Sequence, residues 1–292
     1  MSKPGKLFCF GLGYSALHLA RRLRDEGWAV AGTVRAKEKR QALLDEGINA
    51  HLFDRGRPMD GAADPLRDVT HVVSSVPPDE AGDPVLDHHL AELQHAESLA
   101  WIGYLSTTGV YGDRGGDWVD ESSPRIPTQD RSRKRAMAED SWLTLWERDG
   151  LPVHVFRLAG IYGPGRSAID SLRNGTAKRV VKPGQMFSRI HVDDIAAVLI
   201  ASMARPNPGA AYNVCDDNPA PPEDVIADAA ELLGIEPPPA VPYEEANLSE
   251  MARSFYADNK RVRNDRIKTE LGVRLRYPDY RAGLKAILAE SN

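Results

Sequence analysis

The chain has 292 residues, of which 42% are hydrophobic and 27% are charged, a composition typical of soluble globular proteins. It carries 42 acidic and 37 basic residues and a formal net charge of −5, which argues against binding to nucleic acids or anionic membranes. The length suits one large α/β domain, alone or with a smaller lobe attached.

The two cysteines, Cys9 and Cys215, are too few for a disulfide framework, and reduced thiols are the simplest interpretation. The apolar run at residues 7–12 is far too short to span a membrane or to act as a secretory signal. We therefore expect a cytoplasmic protein that makes no use of a membrane.

A glycine turn between a strand and a helix is the first predicted feature. Residues 7–10 are an apolar run, and Gly11-Leu12-Gly13 follows. In a dinucleotide site the first glycine allows the tight turn, the second lets the diphosphate approach, and a small residue packs the helix on the strand. The free N–H groups of the helix start then face the phosphates. The predicted contacts are Gly11, Gly13, Tyr14, Ser15 and Ala16; an ordinary tight turn is the alternative.

The end of the second predicted strand indicates which dinucleotide is bound. An acidic residue there binds the ribose of NAD, whereas a cation binds the 2′-phosphate of NADP. The strand ends in Thr33-Val34-Arg35, Lys37 follows, and no acid lies between Gly27 and Glu38. Thr33 and Arg35 therefore favour NADP, with NAD as the alternative. In a second interpretation the cations are only the solvated start of the next helix.

Six predicted strands alternate with helices, an order typical of a doubly wound parallel sheet. After the first two, the strands are predicted at residues 48–53, 69–76, 101–105 and 153–158. The helices between them are predicted at residues 38–46, 85–99 and 133–148, and residues 109–129 are irregular.

The rest of the chain contains more loops. A strand is predicted at residues 211–214 and helices at residues 193–203, 221–233, 262–271 and 280–289. We expect an α/β Rossmann domain at residues 1–165, to which residues 185–216 return. Residues 166–184 and 217–292 are predicted to form a smaller, interleaved substrate-facing lobe.

Five short motifs occur in a characteristic order. They are STTGVYG at residues 106–112, ESSP at 121–124, RLAGIYGPG at 157–165, HVDD at 191–194 and YNV at 212–214. Together they resemble the extended short-chain dehydrogenase/reductase family, the group of NAD-dependent epimerases and dehydratases, over most of the chain.

The resemblance implies roles for single residues. Thr107 takes the position of the catalytic Ser or Thr that hydrogen-bonds the reacting oxygen of the substrate, with capping of the strand end as the alternative. Asp54 resembles the family's acidic residue near the adenine, and Ser75 lies where the backbone passes the adenosine. Homodimers are common in the family, so the resemblance also admits a homodimer.

The family's acid/base pair, a Tyr four residues before a Lys, is missing from this sequence. If Lys134 takes the place of the Lys, Asp130 takes that of the Tyr. If Arg135 does so, Arg131 stands for the Tyr, and a permanently protonated Arg cannot act as a base. The family's Lys holds the cofactor ribose, so Arg135 is included among the predicted cofactor-binding residues. The chain thus resembles an atypical family member.

Tyr111 is the first candidate for the missing acid/base because it follows the active-site strand. Tyr162, Asp130 and His191 are further candidates. For the two tyrosines the alternative is packing, and for His191 it is a structural hydrogen bond at a helix start.

Two groups of cations allow an anionic ligand, with solvated surface as an equal alternative; the first could bind an anionic substrate or the phosphates of the cofactor, or be the exposed first turn of a helix. One is the Arg-Ser-Arg-Lys-Arg run at residues 131–135. The other lies where relatives hold a nucleotide-sugar diphosphate and consists of Arg166, Arg173, Lys178, Arg179, Lys182 and Arg189. No metal site is predicted, because the neighbouring His88 and His89 diverge on a helix.

The sequence therefore predicts an NAD(P)-dependent oxidoreductase or epimerase/dehydratase acting on a hydroxyl or carbonyl of a sugar-like or other small substrate. The alternative is a non-catalytic NADP-binding redox sensor or regulatory protein, which the missing Tyr–Lys pair favours.

Overall fold

The computed structural model describes residues 4–59, 61 and 63–290. The strands within them are β1 (Lys6–Phe10), β2 (Ala29–Val34), β3 (Asn49–Leu52), β4 (His71–Ser74), β5 (Trp101–Thr107), β6 (Trp118–Val119), β7 (Val153–Leu158), β8 (Gly160–Tyr162), β9 (Arg179–Val181), β10 (Arg189–His191), β11 (Ala211–Val214), β12 (Ala240–Pro242) and β13 (Arg261–Val262).

The helices are α1 (Tyr14–Asp25), α2 (Lys37–Asp45), α3 (Ala63–Leu66), α4 (Pro84–Gln94), α5 (Asp130–Asp149), α6 (Ala168–Arg173), α7 (Val192–Ala204), α8 (Pro222–Leu233), α9 (Glu250–Tyr256), α10 (Asp265–Thr269) and α11 (Tyr280–Glu290). A single turn of 3₁₀ helix, Thr108–Tyr111, follows β5.

Seven strands form the central sheet in the order β11-β7-β5-β4-β1-β2-β3. The pairs β1–β2, β1–β4, β2–β3 and β4–β5 are parallel, and the predicted doubly wound parallel sheet is confirmed. The strand order reverses between β1 and β4, and ligands of such sheets bind in the crevice at the carboxyl ends of these strands.

Apolar strands covered on both faces account for the main core. Phe8, Phe10, Val72, Ile102 and Tyr104 are almost fully buried there, together with side chains of the flanking helices. The sheet thereby fixes the strand ends that carry the predicted site.

The chain divides into two compact units. The first comprises residues 1–107, 130–157 and 195–212, and the second comprises residues 108–129, 158–194 and 213–292. The second unit has its own core, in which Tyr162, Ile169, Val225, Tyr280 and Leu284 pack together. These units differ in their bounds from the predicted domains, most clearly because residues 108–129 belong to the second unit.

Several element boundaries differ from the sequence prediction. Helix α5 begins three residues earlier than predicted, and α4 ends at Gln94 instead of continuing to residue 99. Strand β4 has four residues, because only His71–Ser74 join the ladder. The helix predicted at residues 262–271 is the shorter α10, preceded by β13.

None of the helices in the described part of the chain combines the length and the apolar character that crossing a bilayer requires.

Candidate active site

The glycine turn after β1 is held by side chains from two neighbouring strand ends. Gly11 has φ +84°, and a Cβ at this position would lie 2.9 Å from the Ser75 Oγ, so the chain itself requires glycine here. The Gly11 N–H donates to the Thr33 Oγ1 at 2.8 Å, and the Ser75 hydroxyl donates to the Gly11 carbonyl at 2.5 Å. Thr33 is only 1% exposed, so it shapes the turn, and this geometry does not favour the predicted contact between Thr33 and a phosphate.

Gly13 differs from Gly11 because the chain does not require it. Its φ of −77° and ψ of −169° suit any residue. Among the described residues, only the Ser75 Oγ, at 4.0 Å, would come near a Cβ placed there. Gly13 is also the N-cap of α1, where it offers no side chain to the first N–H groups, and the first turn, which contains the buried Ser15 and Ala16, has no acid. This open space at a positive helix end fits a pyrophosphate.

Two cations, Arg35 and Lys39, lie at the carboxyl end of β2 in the first unit. Arg35 is exposed there, and the Lys39 Nζ donates to the Leu12 carbonyl at 2.7 Å, so this lysine reaches over the glycine turn. Burial lowers the pKa of Lys39, and the charges of Arg21 and Arg35 lower it further. An anion placed among these cations would relieve their mutual repulsion, as a 2′-phosphate would.

Asp54 is bonded within its own turn after β3. Its Oδ1 accepts the Gly56 N–H at 3.1 Å, and its Oδ2 accepts from the Arg57 Nη2 at 2.7 Å. The same Arg57 nitrogen donates to the Arg35 carbonyl at 2.8 Å. Asp54 is therefore tied to the strand end that carries Arg35, and an adenine would share this carboxylate with Arg57.

The carboxyl end of β5 carries Thr107 and is bound by Arg135 of α5. Thr107 is the last residue of the strand and is half-buried. The Arg135 Nη1 donates to the Leu105 carbonyl at 2.8 Å and to the Tyr104 hydroxyl at 3.2 Å. Within the described chain, Arg135 makes its hydrogen bonds through Nη1 alone, so the other guanidinium nitrogens can bind a ligand.

The start of α5 does not rebuild a tyrosine–lysine pair under either alignment. Asp130 is exposed, and a hydrogen bond from Arg133 lowers the pKa of its carboxyl. Lys134 forms an ion pair with Glu80. Arg131 is exposed and bears a permanent charge.

Tyr104 and Arg135 form a tyrosine–cation pair that sequence reasoning missed. Burial raises the pKa of Tyr104 far above its usual range, although Arg135 acts in the opposite direction. The phenol therefore stays protonated at neutral pH and does not start as a base. Its ring stacks on Trp142 with centroids 5.8 Å apart, so Tyr104 is a core residue that also accepts from Arg135.

A buried network of Ser106, Glu139 and Arg157 was also missed. The Ser106 hydroxyl donates to the Glu139 Oε1, and the Arg157 Nη2 donates to the Glu139 Oε2 at 2.9 Å. The Arg157 Nε lies 3.2 Å from both oxygens. Glu139 is completely buried, yet both oxygens are bonded. The three residues lie in β5, α5 and β7, and no spacing rule in the sequence relates them.

In the second unit, Tyr111 is a buried hydrogen-bonding residue. Its hydroxyl donates to the Asn213 Oδ1 at 2.7 Å, and its ring is 0% exposed. The Asn213 N–H donates to the Glu121 Oε1 at 2.8 Å. A phenol that is fully buried and already bonded is poorly placed to exchange protons with a substrate, so this geometry favours packing over the predicted acid/base role.

His191 and Tyr162 have structural contacts as well. The His191 Nδ1 accepts the Asp193 N–H at 3.2 Å at the start of α7, and the imidazole lies 4.1 Å from the Tyr277 ring and 5.1 Å from that of Tyr162. Burial raises the pKa of Tyr162 beyond the range of a useful base. Neither residue is arranged as a proton carrier.

A cavity of about 340 Å³ lies within the second unit. Arg189 lines it, and its Nη1 donates to the carbonyls of Phe187 and Ala220 at 2.9 and 3.0 Å. Among the described residues these are its hydrogen bonds, so its remaining donors are available to a ligand. The other polar lining residues are Tyr162, Arg166, Ser167, Asp170, Ser171, Asn174, Thr176 and Tyr280.

Asp216 lies beside Arg189, whose backbone carbonyl accepts the Asp216 N–H at 2.6 Å. Burial raises the pKa of the Asp216 carboxyl to about 8, against the attraction of Arg189. Its Oδ2 is buried and has no hydrogen-bond partner in the described chain. Asp216 therefore keeps a carboxyl oxygen without a hydrogen bond in the described chain, and its backbone adjoins that of Arg189, whose guanidinium keeps spare donors.

The other predicted loop cations have mixed surroundings. Lys178 donates to the Asn247 carbonyl and Lys182 to the Tyr256 carbonyl, so both lysines fasten the second unit internally. Arg173 is exposed, at the end of α6. Of the predicted set, Arg166 and Arg189 are the two that line the cavity.

Within residues 4–59, 61 and 63–290, no three His, Cys, Asp or Glu side chains come together as candidate metal ligands.

A sequence model of the NAD-dependent epimerase/dehydratase family matches residues 11–215, the span that contains the glycine turn, the end of β5 and α5. The chain belongs to the NAD-dependent epimerase/dehydratase family.

Three known proteins are similar to this chain. Protein YeeZ of Escherichia coli (strain K12) is 29% identical over 286 residues, which are 94% of this chain and 97% of that protein. A structure of a conserved protein of unknown function from Silicibacter pomeroyi is 53% identical, with a TM-score of 0.89 and 99% of each chain covered. UDP-glucuronic acid 4-epimerase from Bacillus cereus, solved with UDP-glucuronic acid and NAD, is 16% identical, with a TM-score of 0.75 over 98% of this chain and 100% of that chain.

In this epimerase/dehydratase family member, the first unit contains the cofactor residues predicted from the sequence and the strand-end Thr107. Tyr111 lies in the second unit, among buried partners. The clearest additions to the predicted site are Tyr104, the Glu139 network, and the Asp216–Arg189 pair beside the cavity.

Proposed function

We propose that the protein is an NADP-dependent oxidoreductase or epimerase/dehydratase that acts on a hydroxyl or carbonyl group of an anionic, sugar-like or other small substrate. The observation that carries the proposal is Gly13. The chain leaves open space at this uncapped helix start, and a bound pyrophosphate is the simplest reason for a glycine there. NAD is the alternative cofactor.

The residues of the first unit have distinct roles in this proposal. Gly11 and Ser75 keep the turn in shape, and the N–H groups at Tyr14, Ser15 and Ala16 bind the pyrophosphate. Arg35 and Lys39 bind the 2′-phosphate, and Asp54 supports the adenosine side. When bound, the nicotinamide supplies hydride transfer.

The remaining guanidinium donors of Arg135 bind the ribose from the end of β5, and the hydroxyl of Thr107 orients the reacting oxygen. Arg135 cannot lose its proton, so it binds and orients but takes no part in proton transfer. The anionic part of the substrate is assigned to the cavity of the second unit, because Arg189 has donors to spare there.

Calorimetric titration with NADPH and NADH at matched ionic strength tests the cofactor. We expect tighter binding of NADPH, and Arg35→Ala should weaken NADPH binding about tenfold while NADH binding changes little. Arg22→Ala is the matched control, because it removes a charge from the other end of α1. A preference for NADH would overturn the role of Arg35, and failure of the folded protein to bind either dinucleotide would overturn the function.

A non-catalytic NADP-binding sensor is the second candidate function, favoured by the missing Tyr–Lys pair and by the occupied hydroxyl of Tyr111. A screen of sugar nucleotides and small hydroxyl or carbonyl compounds separates the two functions when both net NADPH oxidation and conversion of the compound itself are followed, because an epimerase or dehydratase regenerates its cofactor. An enzyme should turn over at least one compound and lose that turnover in Thr107→Val. Tight NADPH binding without turnover across the screen would support the sensor.

A further inference from the structure

Two consecutive contacts join α5 to the end of β5. Arg135 and Glu139 are four residues apart and therefore share one face of the helix. Tyr104 and Ser106 alternate with Leu105 and share one face of the strand. Arg135 binds the strand through Tyr104 and the Leu105 carbonyl, and Glu139 binds it one step further along through Ser106.

Arg157 of β7 holds the second oxygen of Glu139, so this carboxylate connects the helix with two strands of the sheet. Because Glu139 is completely buried and both its oxygens are bonded, α5 cannot slide or rotate without breaking a bond to a charge. A buried ion pair is not an efficient source of stability, since apolar side chains of equal volume often serve as well or better. The ion pair between Glu139 and Arg157 instead determines the position of α5.

We propose that Glu139, held by Ser106 and Arg157, is a positioning residue that places the Arg135 guanidinium at the carboxyl end of β5 for dinucleotide binding. This inference rests on the proposed function, because it requires Arg135 to contact the cofactor. A small displacement of α5 would carry the free nitrogens of Arg135 away from a ligand whose other contacts are fixed by the glycine turn.

Ser106→Ala is the primary test, because it removes one contact of Glu139 and leaves the ion pair with Arg157 intact. NADPH affinity is measured by calorimetry in the wild type, Ser106→Ala, Arg135→Ala and the double variant. We expect Arg135→Ala to weaken binding about tenfold and Ser106→Ala about threefold, with no further loss when both are combined. Such non-additivity shows that Ser106 acts through Arg135.

Ser202→Ala is the matched control in the same unit. The Ser202 hydroxyl is buried and accepts the Trp101 Nε1–H at 3.0 Å, so this variant also loses a buried hydrogen bond, but away from the end of β5. It should lower the Tm and leave NADPH affinity unchanged. Glu139→Gln keeps the shape of the side chain and an acceptor for Ser106 but leaves Arg157 buried without its counter-charge, so it should lower the Tm as well as weaken NADPH binding.

Unchanged affinity in Ser106→Ala, or losses that simply add in the double variant, would overturn this inference and leave the proposed function standing. If the wild type bound neither NADPH nor NADH, both would be overturned together.

Discussion

Each of the two units contains a buried acid and an arginine close to it, but the two pairs differ in how many of their polar atoms are hydrogen-bonded. In the first unit, both oxygens of Glu139 are bonded, to Ser106 and Arg157. In the second, one oxygen of Asp216 has no hydrogen-bond partner in the described chain, and the neighbouring Arg189 donates both of its hydrogen bonds there from the Nη1. A buried charged group whose hydrogen bonds are all made holds the neighbouring elements in position. A buried group with spare hydrogen-bonding capacity can bind a proton or a ligand.

The same contrast holds at the glycine turn. Gly11 is required by its own φ and by Ser75, while a Cβ at Gly13 would come near only the Ser75 Oγ, at 4.0 Å, among the described residues. Substitution of a residue that is fixed by contacts within the chain should therefore change mainly stability. Substitution of a residue that has free hydrogen-bonding capacity or free space beside it should change mainly ligand binding.

Arg157→Met should give the largest loss of stability, because it leaves the Glu139 carboxylate buried without its cation. We expect the free energy of unfolding in urea to fall by about 3–5 kcal/mol. The double variant Glu139→Gln/Arg157→Met removes the stranded charge and should recover part of this loss. If the free energy of unfolding of Arg157→Met lay within about 0.5 kcal/mol of the wild-type value, the ion pair between Glu139 and Arg157 would not contribute to the stability of the fold.

Gly11→Ala should affect mainly stability, and Gly13→Ala should affect mainly NADPH binding. Gly11→Ala places a side chain at positive φ and against Ser75, and should cost about 1–2 kcal/mol in urea unfolding. Gly13→Ala should cost less than about 1 kcal/mol, from a poorer helix N-cap, while weakening NADPH binding more strongly than it weakens the fold. Undiminished NADPH binding in Gly13→Ala would contradict a pyrophosphate at this position.

Asp216→Asn should change how stability depends on pH. The pKa of Asp216 is raised from 3.8 to about 8 by burial, so between these pH values the folded state holds a proton that the unfolded state has lost, and stability falls as the pH rises. The wild type should therefore lose roughly 3–4 kcal/mol more than Asp216→Asn between about pH 5 and pH 8. Parallel pH profiles of the Tm for the two proteins would show that Asp216 is ionised throughout.

Tyr111→Phe should have the smallest effect. It deletes one buried hydrogen bond to Asn213 and should lower the free energy of unfolding by about 1 kcal/mol. Because the hydroxyl is already bonded, turnover of any substrate found in the screen should stay within about twofold of the wild type. A large loss of kcat at unchanged stability would restore Tyr111 as a proton-transfer residue.

The sequence predicted the features that depend on neighbours in the chain. The order β1–α1–β2 followed from an apolar run, glycines and a helical pattern, and β11 was predicted with its observed bounds, Ala211–Val214. Predictions were weaker where no Gly or Pro marks an end: α4 ends at Gln94 without either residue, and the predicted start of α5 lay three residues after its observed start at Asp130.

The predictions missed features that arise from residues distant in the chain. Ser106, Glu139 and Arg157 are separated by 33 and 18 positions, and each alone has an ordinary surface or strand pattern. The same applies to the cavity, whose lining comes from segments as distant as Tyr162 and Leu284. Burial and bonding, which decide whether Tyr111 or Asp216 can titrate, follow from packing and not from residue type.

Arg135 of α5, which binds the end of β5, also affects how the protein responds to a change of pH. A lysine in this position would lose its charge in alkaline solution, and a neighbouring tyrosine would titrate with it. An arginine side chain, by contrast, is effectively always protonated in proteins. The contact that we propose between Arg135 and the cofactor should therefore not itself depend on pH, and a pH dependence of cofactor binding would point to other groups, such as Lys39 with its lowered pKa.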